Sequence, residues 1–154
     1  MNTPADIIDL AVAIELECAA LYEVFARCFG ARDEVAYFWR LYAEAERYHA
    51  ASIRIHQAAF AGDQGEKLDV GVAEAALVLA EIRGMREGYE RTPPTILEAL
   101  RAARRVEESS AELHGRTQFF KLHPHFAELF QQMADEDRAH RDVLATAEQR
   151  FGAA

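Results

Sequence analysis

A chain of 154 residues, 51% of them hydrophobic and only four of them proline, is long enough to bury one core and reads as a single domain over 1–154. Its formal charge of −9 argues against nucleic acid and against membrane as main partners, because neither phosphate nor acidic lipid attracts an acidic surface. No run of residues reaches transmembrane length.

The chain opens with Thr3-Pro4-Ala5-Asp6, a cap followed by proline at the first helical position, which predicts a first helix running to about Phe29 with Gly30 ending it. This stretch carries Asp6, Asp9, Glu15 and Glu17 and lacks a basic segment followed by an uncharged apolar run, so it does not read as a signal peptide. On a helical wheel Glu15 lies among Ile8, Ala11, Cys18, Ala19 and Tyr22, with Phe25 and Phe29 further along, so it interrupts an apolar stripe. Asp9, Glu23 and Arg27 form the solvated face, and Glu17 points away beside Leu10, Val24 and Cys28. Cys18 and Cys28 are too far apart on one helix to pair, and no Cys-x-x-Cys occurs. A reducing, cytoplasmic location is expected, with Cys18 a small buried hydrophobe.

The second helix is predicted from Asp33 to about Ala61, where Gly62-Asp63-Gln64-Gly65 breaks it. Its stripe contains Val35, Phe38, Trp39, Tyr42, Glu46, His49, Ile53 and Phe60, so a carboxylate and an imidazole again interrupt an apolar face. His56 sits beside the stripe and reads as packing or surface. The connection from Gly62 to Thr95 spans 34 residues and contains a shorter helix from roughly Val72 to Tyr89. Pro93-Pro94 stops that helix, and Thr95 with Glu98 forms a capping box for the next.

The third main helix is predicted from Ile96 to Leu122. Glu107 aligns with Ile96, Leu100, Ala103, Ala111 and His114, whereas Glu108 aligns with Arg101, Arg105 and Glu112. The cluster Arg101, Arg104, Arg105 and Glu108 reads as an exposed face with ion pairs. His123-Pro124 opens the fourth, whose stripe reads Phe126, Phe130, Met133, Asp137, His140, Leu144 and Phe151; His123 and His125 are expected in solvent. Glu136 competes with Asp137, but only Asp137 has the three-residue spacing to His140.

Glu46-Arg47-Tyr48-His49 and Asp137-Arg138-Ala139-His140 each place a carboxylate three residues before a histidine, on one face of a helical turn. Glu15 precedes Glu46 by 31 residues and Glu107 precedes Asp137 by 30, so the chain states one pattern twice. Tyr22 and His114, each seven residues after the single Glu of its half, form a second pairing and read as groups that orient the carboxylates through hydrogen bonds. Buried carboxylates are costly without a cation or a proton. The set Glu15, Glu46, His49, Glu107, Asp137 and His140 matches the ligands of di-iron carboxylate bundles, with one Glu shortened to Asp. Bridging carboxylates would hold two metals about 3.5–4 Å apart, a spacing suited to both ends of a dioxygen or peroxide unit.

On these motifs the sequence resembles the ferritin-like domain of the rubrerythrin family over nearly its whole length. The resemblance implies an all-α, ferritin-like four-helix bundle with a long crossover that contains a short extra helix between helices two and three. It implies two iron ions, oxidised by hydrogen peroxide or dioxygen, and a homodimer; zinc or manganese are alternative metals. Ser110 stands where rubrerythrins carry a further carboxylate, and Asp137 replaces the usual Glu. No rubredoxin-like Cys₄ segment is present, so turnover would draw electrons from a separate donor protein. A bundle that binds or stores iron without redox turnover, or that holds a structural cation, is the alternative, and related ferritin-like enzymes share the same ligands.

Overall fold

The structure, a computed structural model, describes residues 4–59, 72–115 and 124–152. Among the described residues the regular structure is five helices: α1 (Pro4–Cys28), α2 (Asp33–Ala59), α3 (Val72–Arg91), α4 (Ile96–His114) and α5 (Pro124–Gly152). The fold is an all-α bundle. α1 packs along α2, α5 packs along α4, and α3 lies against α1, while α2 and α5 approach more sparsely. No helix among the described residues is long and apolar enough to cross a membrane.

α1 is the most apolar helix because it is covered on two sides. Ile8, Ala11, Cys18, Ala19, Tyr22 and Phe25 are buried as the periodicity predicts, and so are Val12, Ile14, Leu21 and Val24. α3 provides part of the second cover. Its Ala75 and Ile82 are buried, Tyr89 meets Phe25 edge-on at 5.5 Å, and Arg86 pairs with Glu17. Glu17, set aside in the sequence, therefore ties α1 to α3. Each fully buried large side chain, Trp39, Phe130 and Ile53 among them, contributes about 1.5–3 kcal/mol. Surface pairs such as Arg54 with Asp9 at 2.9 Å contribute far less.

Pro94 leads into α4 through Thr95, whose hydroxyl accepts from the Glu98 N–H while the Glu98 carboxylate accepts from the Thr95 N–H at 2.8 Å, the predicted capping box. α4 ends at His114, not at Leu122. The Gly115 N–H bonds back to the carbonyls of Ala111 and Leu113 and closes the last turn. A glycine within a periodic run is compatible with continuation or with a stop, and periodicity alone does not choose. The exposed arginines of α4 are paired as expected: Arg101 and Arg104 with Glu148 of α5 at 2.9 and 3.3 Å, and Arg105 with Glu81 of α3.

Two further details differ from the periodic reading. Phe151, expected in the stripe of α5, is 45% exposed: Glu148 already meets Arg101 near the start of α4, so little remains for Phe151 to pack against. α2 is apolar on its outer side too, where Tyr37, Leu41, Tyr48 and Ile55 are all more than half exposed. Thr3, Phe60, the glycine-rich break at 62–65 and His123 lie outside the described residues, as does the side chain of His125.

Candidate metal centre

Each helix of the two antiparallel-type pairs places polar side chains within its apolar face. α1 presents Glu15, α2 Glu46 and His49, α4 Glu107 and His114, and α5 Asp137 and His140. All four carboxylates are buried, Glu15 completely and Asp137 to 1% exposure, as are His49 and His114. Glu108, the competitor of Glu107, is exposed. The wheel, which chose Glu107, and the three-residue spacing to His140, which chose Asp137, thus each picked the buried member of an adjacent acidic pair.

The buried groups converge. Glu15, Glu46 and His49 each offer a ligand atom within 4.8 Å of the other two, and Glu46, Glu107 and His140 do the same. Glu46 is common to both groups. The Glu-x-x-His spacing has the expected local effect, with His49 Nδ1 3.5 Å from Glu46 Oε2, and the same nitrogen is 3.3 Å from Glu15 Oε2. On the other side His140 Nδ1 lies 3.5 Å from Glu107 Oε2. Asp137 belongs to neither group: its Oδ1 is 3.9 Å from His49 Nδ1, and its Oδ2 is held by His114 at 2.9 Å. Such Glu/His clusters could hold a metal ion.

A surrounding layer of contacts fixes these side chains. The Tyr22 hydroxyl donates to Glu107 Oε1 at 2.7 Å, and His114 Nε2 lies 3.1 Å from Glu15 Oε1. The two companions therefore reach across, each to the single Glu of the other half. Sequence spacing placed them near the carboxylates but carried no signal for this exchange, which depends on how α1 and α4 face each other. Glu136 has a different position from the one it competed for. Its side chain is 40% exposed, and its Oε2 is 2.7 Å from His49 Nε2, while Gln132 donates to its other oxygen at 2.8 Å. With Nε2 held from outside, His49 turns Nδ1 toward Glu15 and Glu46, the outer-carboxylate arrangement usual behind a metal-binding imidazole. The Tyr42 hydroxyl donates to the backbone carbonyl of His140 at 3.3 Å, and its ring lies 4.8 Å from the His140 ring. Tyr22, Phe25, Phe38, Trp39 and Tyr42 form an aromatic wall on the same side, with Tyr22 stacked on Trp39 at 5.8 Å. His56 bonds the Ser52 carbonyl and packs on Phe126, as a core-edge residue.

Crowding of acids in a dry interior perturbs every member. Burial pushes the Glu46 carboxyl well above the usual carboxylate range, and the charge of Glu107 adds to the rise; burial likewise raises Glu107 and Asp137. Glu15 goes the other way. Burial favours its neutral form, but the charge and hydrogen bond of His114, with help from His49, hold it well below the usual range. Burial opposes the imidazolium forms of His49 and His114, yet their carboxylate partners prevail, and they are pushed up to about 12 and about 10. Burial and the nearby Glu107 charge keep the Tyr22 phenol protonated, so its role toward Glu107 is that of donor.

The donor set fits hard or borderline cations. Four carboxylates balance the charge of two divalent ions, and one imidazole is available to each group. Glu46 Oε1 and His140 Nδ1 are buried and have no hydrogen-bond partner among the described residues. A buried acceptor left unmatched in this way costs about 1–3 kcal/mol, a cost that coordination removes. No protein-family model, curated protein or solved structure matches the chain.

Proposed function

We propose that this bundle is a di-iron oxidoreductase of rubrerythrin type, in which a buried pair of ferrous ions is oxidised by hydrogen peroxide or dioxygen. The observation that carries the reading is the sharing of Glu46 between two buried Glu/His groups, because a carboxylate common to two such groups is what a two-metal centre needs. Glu15 and His49 would hold one ion and Glu107 and His140 the other, with Glu46 between them, while Asp137 of α5 stands beside the pair with one oxygen held by His114. When bound, such a pair supplies one-electron redox steps at two adjacent sites, and its electrons would come from a separate donor protein.

The chain's own residues do the rest. Glu136 and Glu15 orient His49 from its two ring nitrogens. Tyr22 donates to Glu107 and keeps the second oxygen of that carboxylate turned toward His140. The aromatic wall excludes water from the Glu107 side, which strengthens each electrostatic contact inside. His140, whose side chain is 26% exposed, lies at the edge of the cluster nearest solvent and marks the approach for a small oxidant.

Anaerobic loading with ferrous ion, followed by stopped-flow mixing with peroxide and separately with dioxygen, tests this function. About two irons per chain and rapid oxidation by either oxidant support it. Iron that binds but is not oxidised faster than free ferrous ion would identify a binding or storage bundle instead. Tight zinc with no ferrous oxidation would identify a structural site.

A further inference from the structure

The two groups that share Glu46 are not equivalent. On the Glu107 side, Tyr22 occupies one carboxylate oxygen and leaves the other toward His140 Nδ1, 3.5 Å away. On the Glu15 side, His114 stands between two carboxylates, with Nε2 3.1 Å from Glu15 Oε1 and Nδ1 2.9 Å from Asp137 Oδ2. Both Glu15 oxygens are therefore approached by ring nitrogens, since His49 Nδ1 is 3.3 Å from Oε2. Asp137 gives its Oδ2 to His114, and its Oδ1 comes no nearer than 3.9 Å to His49 Nδ1. The difference follows from one substitution of type within the repeat: a phenol has one hydrogen to give and reaches one carboxylate, whereas an imidazole has two nitrogens and spans two.

We propose that His114 makes the two metal positions unequal, so that the position formed by Glu46, Glu107 and His140 fills first and the position formed by Glu15, Glu46 and His49 fills second and more weakly. The inference rests on the paired-metal reading above and adds an order of filling to it. A cation on Glu15 must compete with His114 for that carboxylate, and it finds Asp137 already engaged. A cation on Glu107 meets only the neutral Tyr22 donor, which it need not displace. Partners of this kind behind a ligand alter metal affinity by about tenfold to a hundredfold. His114 acts through Glu15 and Asp137, and is thus a positioning residue.

Calorimetric titration of chelator-stripped protein with Co²⁺, followed in parallel by the cobalt visible spectrum, reads the two steps directly. The wild type is expected to show two steps whose dissociation constants differ by about tenfold to a hundredfold. In His114→Gln, whose single amide cannot span both carboxylates, the second step tightens toward the first while the first is unchanged. Tyr22→Phe moves only the first step. Circular dichroism establishes that each variant is folded, and His114→Asn serves if the glutamine variant is not. Two equal steps in the wild type, or a His114→Gln variant whose first step moves or whose second step weakens, overturn the proposal while leaving the paired-metal reading intact. Failure of the wild type to bind cobalt at all overturns both.

Discussion

Replacing Glu46 by Gln separates what the cluster does for metal binding from what it does to stability. Glu46 is 3% exposed, its Oε1 has no hydrogen-bond partner among the described residues, and burial together with the Glu107 charge raises its carboxyl well above the normal range. The folded state therefore keeps a proton that the unfolded chain gives up, so Glu46 weakens the fold progressively as pH rises above its ordinary value of 4.5. Glutamine has the same shape, no charge and an amide that can donate to Glu15 or Glu107. In excess chelator, Glu46→Gln should stabilise the neutral-pH protein by about 2 kcal/mol, the scale of one unmatched buried polar group. For a chain of this size that raises Tm by about 4–8 °C. The gain should shrink toward zero as pH falls below 4.5, where both states are protonated. With metal the order reverses: the wild type gains about 2.7 kcal/mol at a metal concentration a hundred times its dissociation constant, whereas the variant, lacking the shared ligand, gains little. Thermal melts at several pH values, with chelator and with metal, measure both effects. A variant that melts lower than wild type in chelator at neutral pH would refute the reasoning, because Glu46 would then be a structural anchor.

Other residues give independent checks. His114 is held up to about 10 against an ordinary 6.5: burial opposes its charge, but the Glu15 charge and the Asp137 bond prevail. Its contribution to metal-free stability should be complete below pH 6.5, decline as pH rises and be lost above about 10, and urea unfolding across that range should show a flatter profile in His114→Gln. Glu136→Gln removes the charge behind His49 Nε2 and should lower metal affinity about tenfold to a hundredfold, measured by competition with a chelating dye, with little change in Tm. Thr95→Ala breaks the capping box of α4 and should cost about 1 kcal/mol in urea unfolding without altering metal stoichiometry, because the cap lies three turns from Glu107.

Helical periodicity made most of the frame legible. The starts of α2, α4 and α5, the capping box at Thr95 and the choice of Glu107 over Glu108 all follow from side-chain type repeated at 3.6 residues, because burial of one face is decided locally. The repeated spacing of Glu15 to Glu46 and Glu107 to Asp137 identified the residues that the bundle buries together. What periodicity cannot supply is the partner met across a helix interface. It placed Tyr22 and His114 on the right faces, yet that Tyr22 reaches Glu107 and His114 spans Glu15 and Asp137 is set by the relative shift and rotation of α1, α4 and α5. Glu136 shows the same limit. One residue off the Asp137 stripe, it looked like a failed ligand and is instead the carboxylate that holds His49 from outside. The end of α4 was misread because Gly115 sits within a pattern that its neighbours continue.

The central claim is that Glu46 lies between two metal positions. Anomalous diffraction from crystals grown with Co²⁺ or Fe²⁺, recorded above and below the metal absorption edge, tests it most directly. Two anomalous peaks are predicted, one beside Glu15 and His49 and the other beside Glu107 and His140, with the Glu46 carboxylate touching both. A single peak that Glu46 does not contact, or peaks only on the protein surface, would contradict the account.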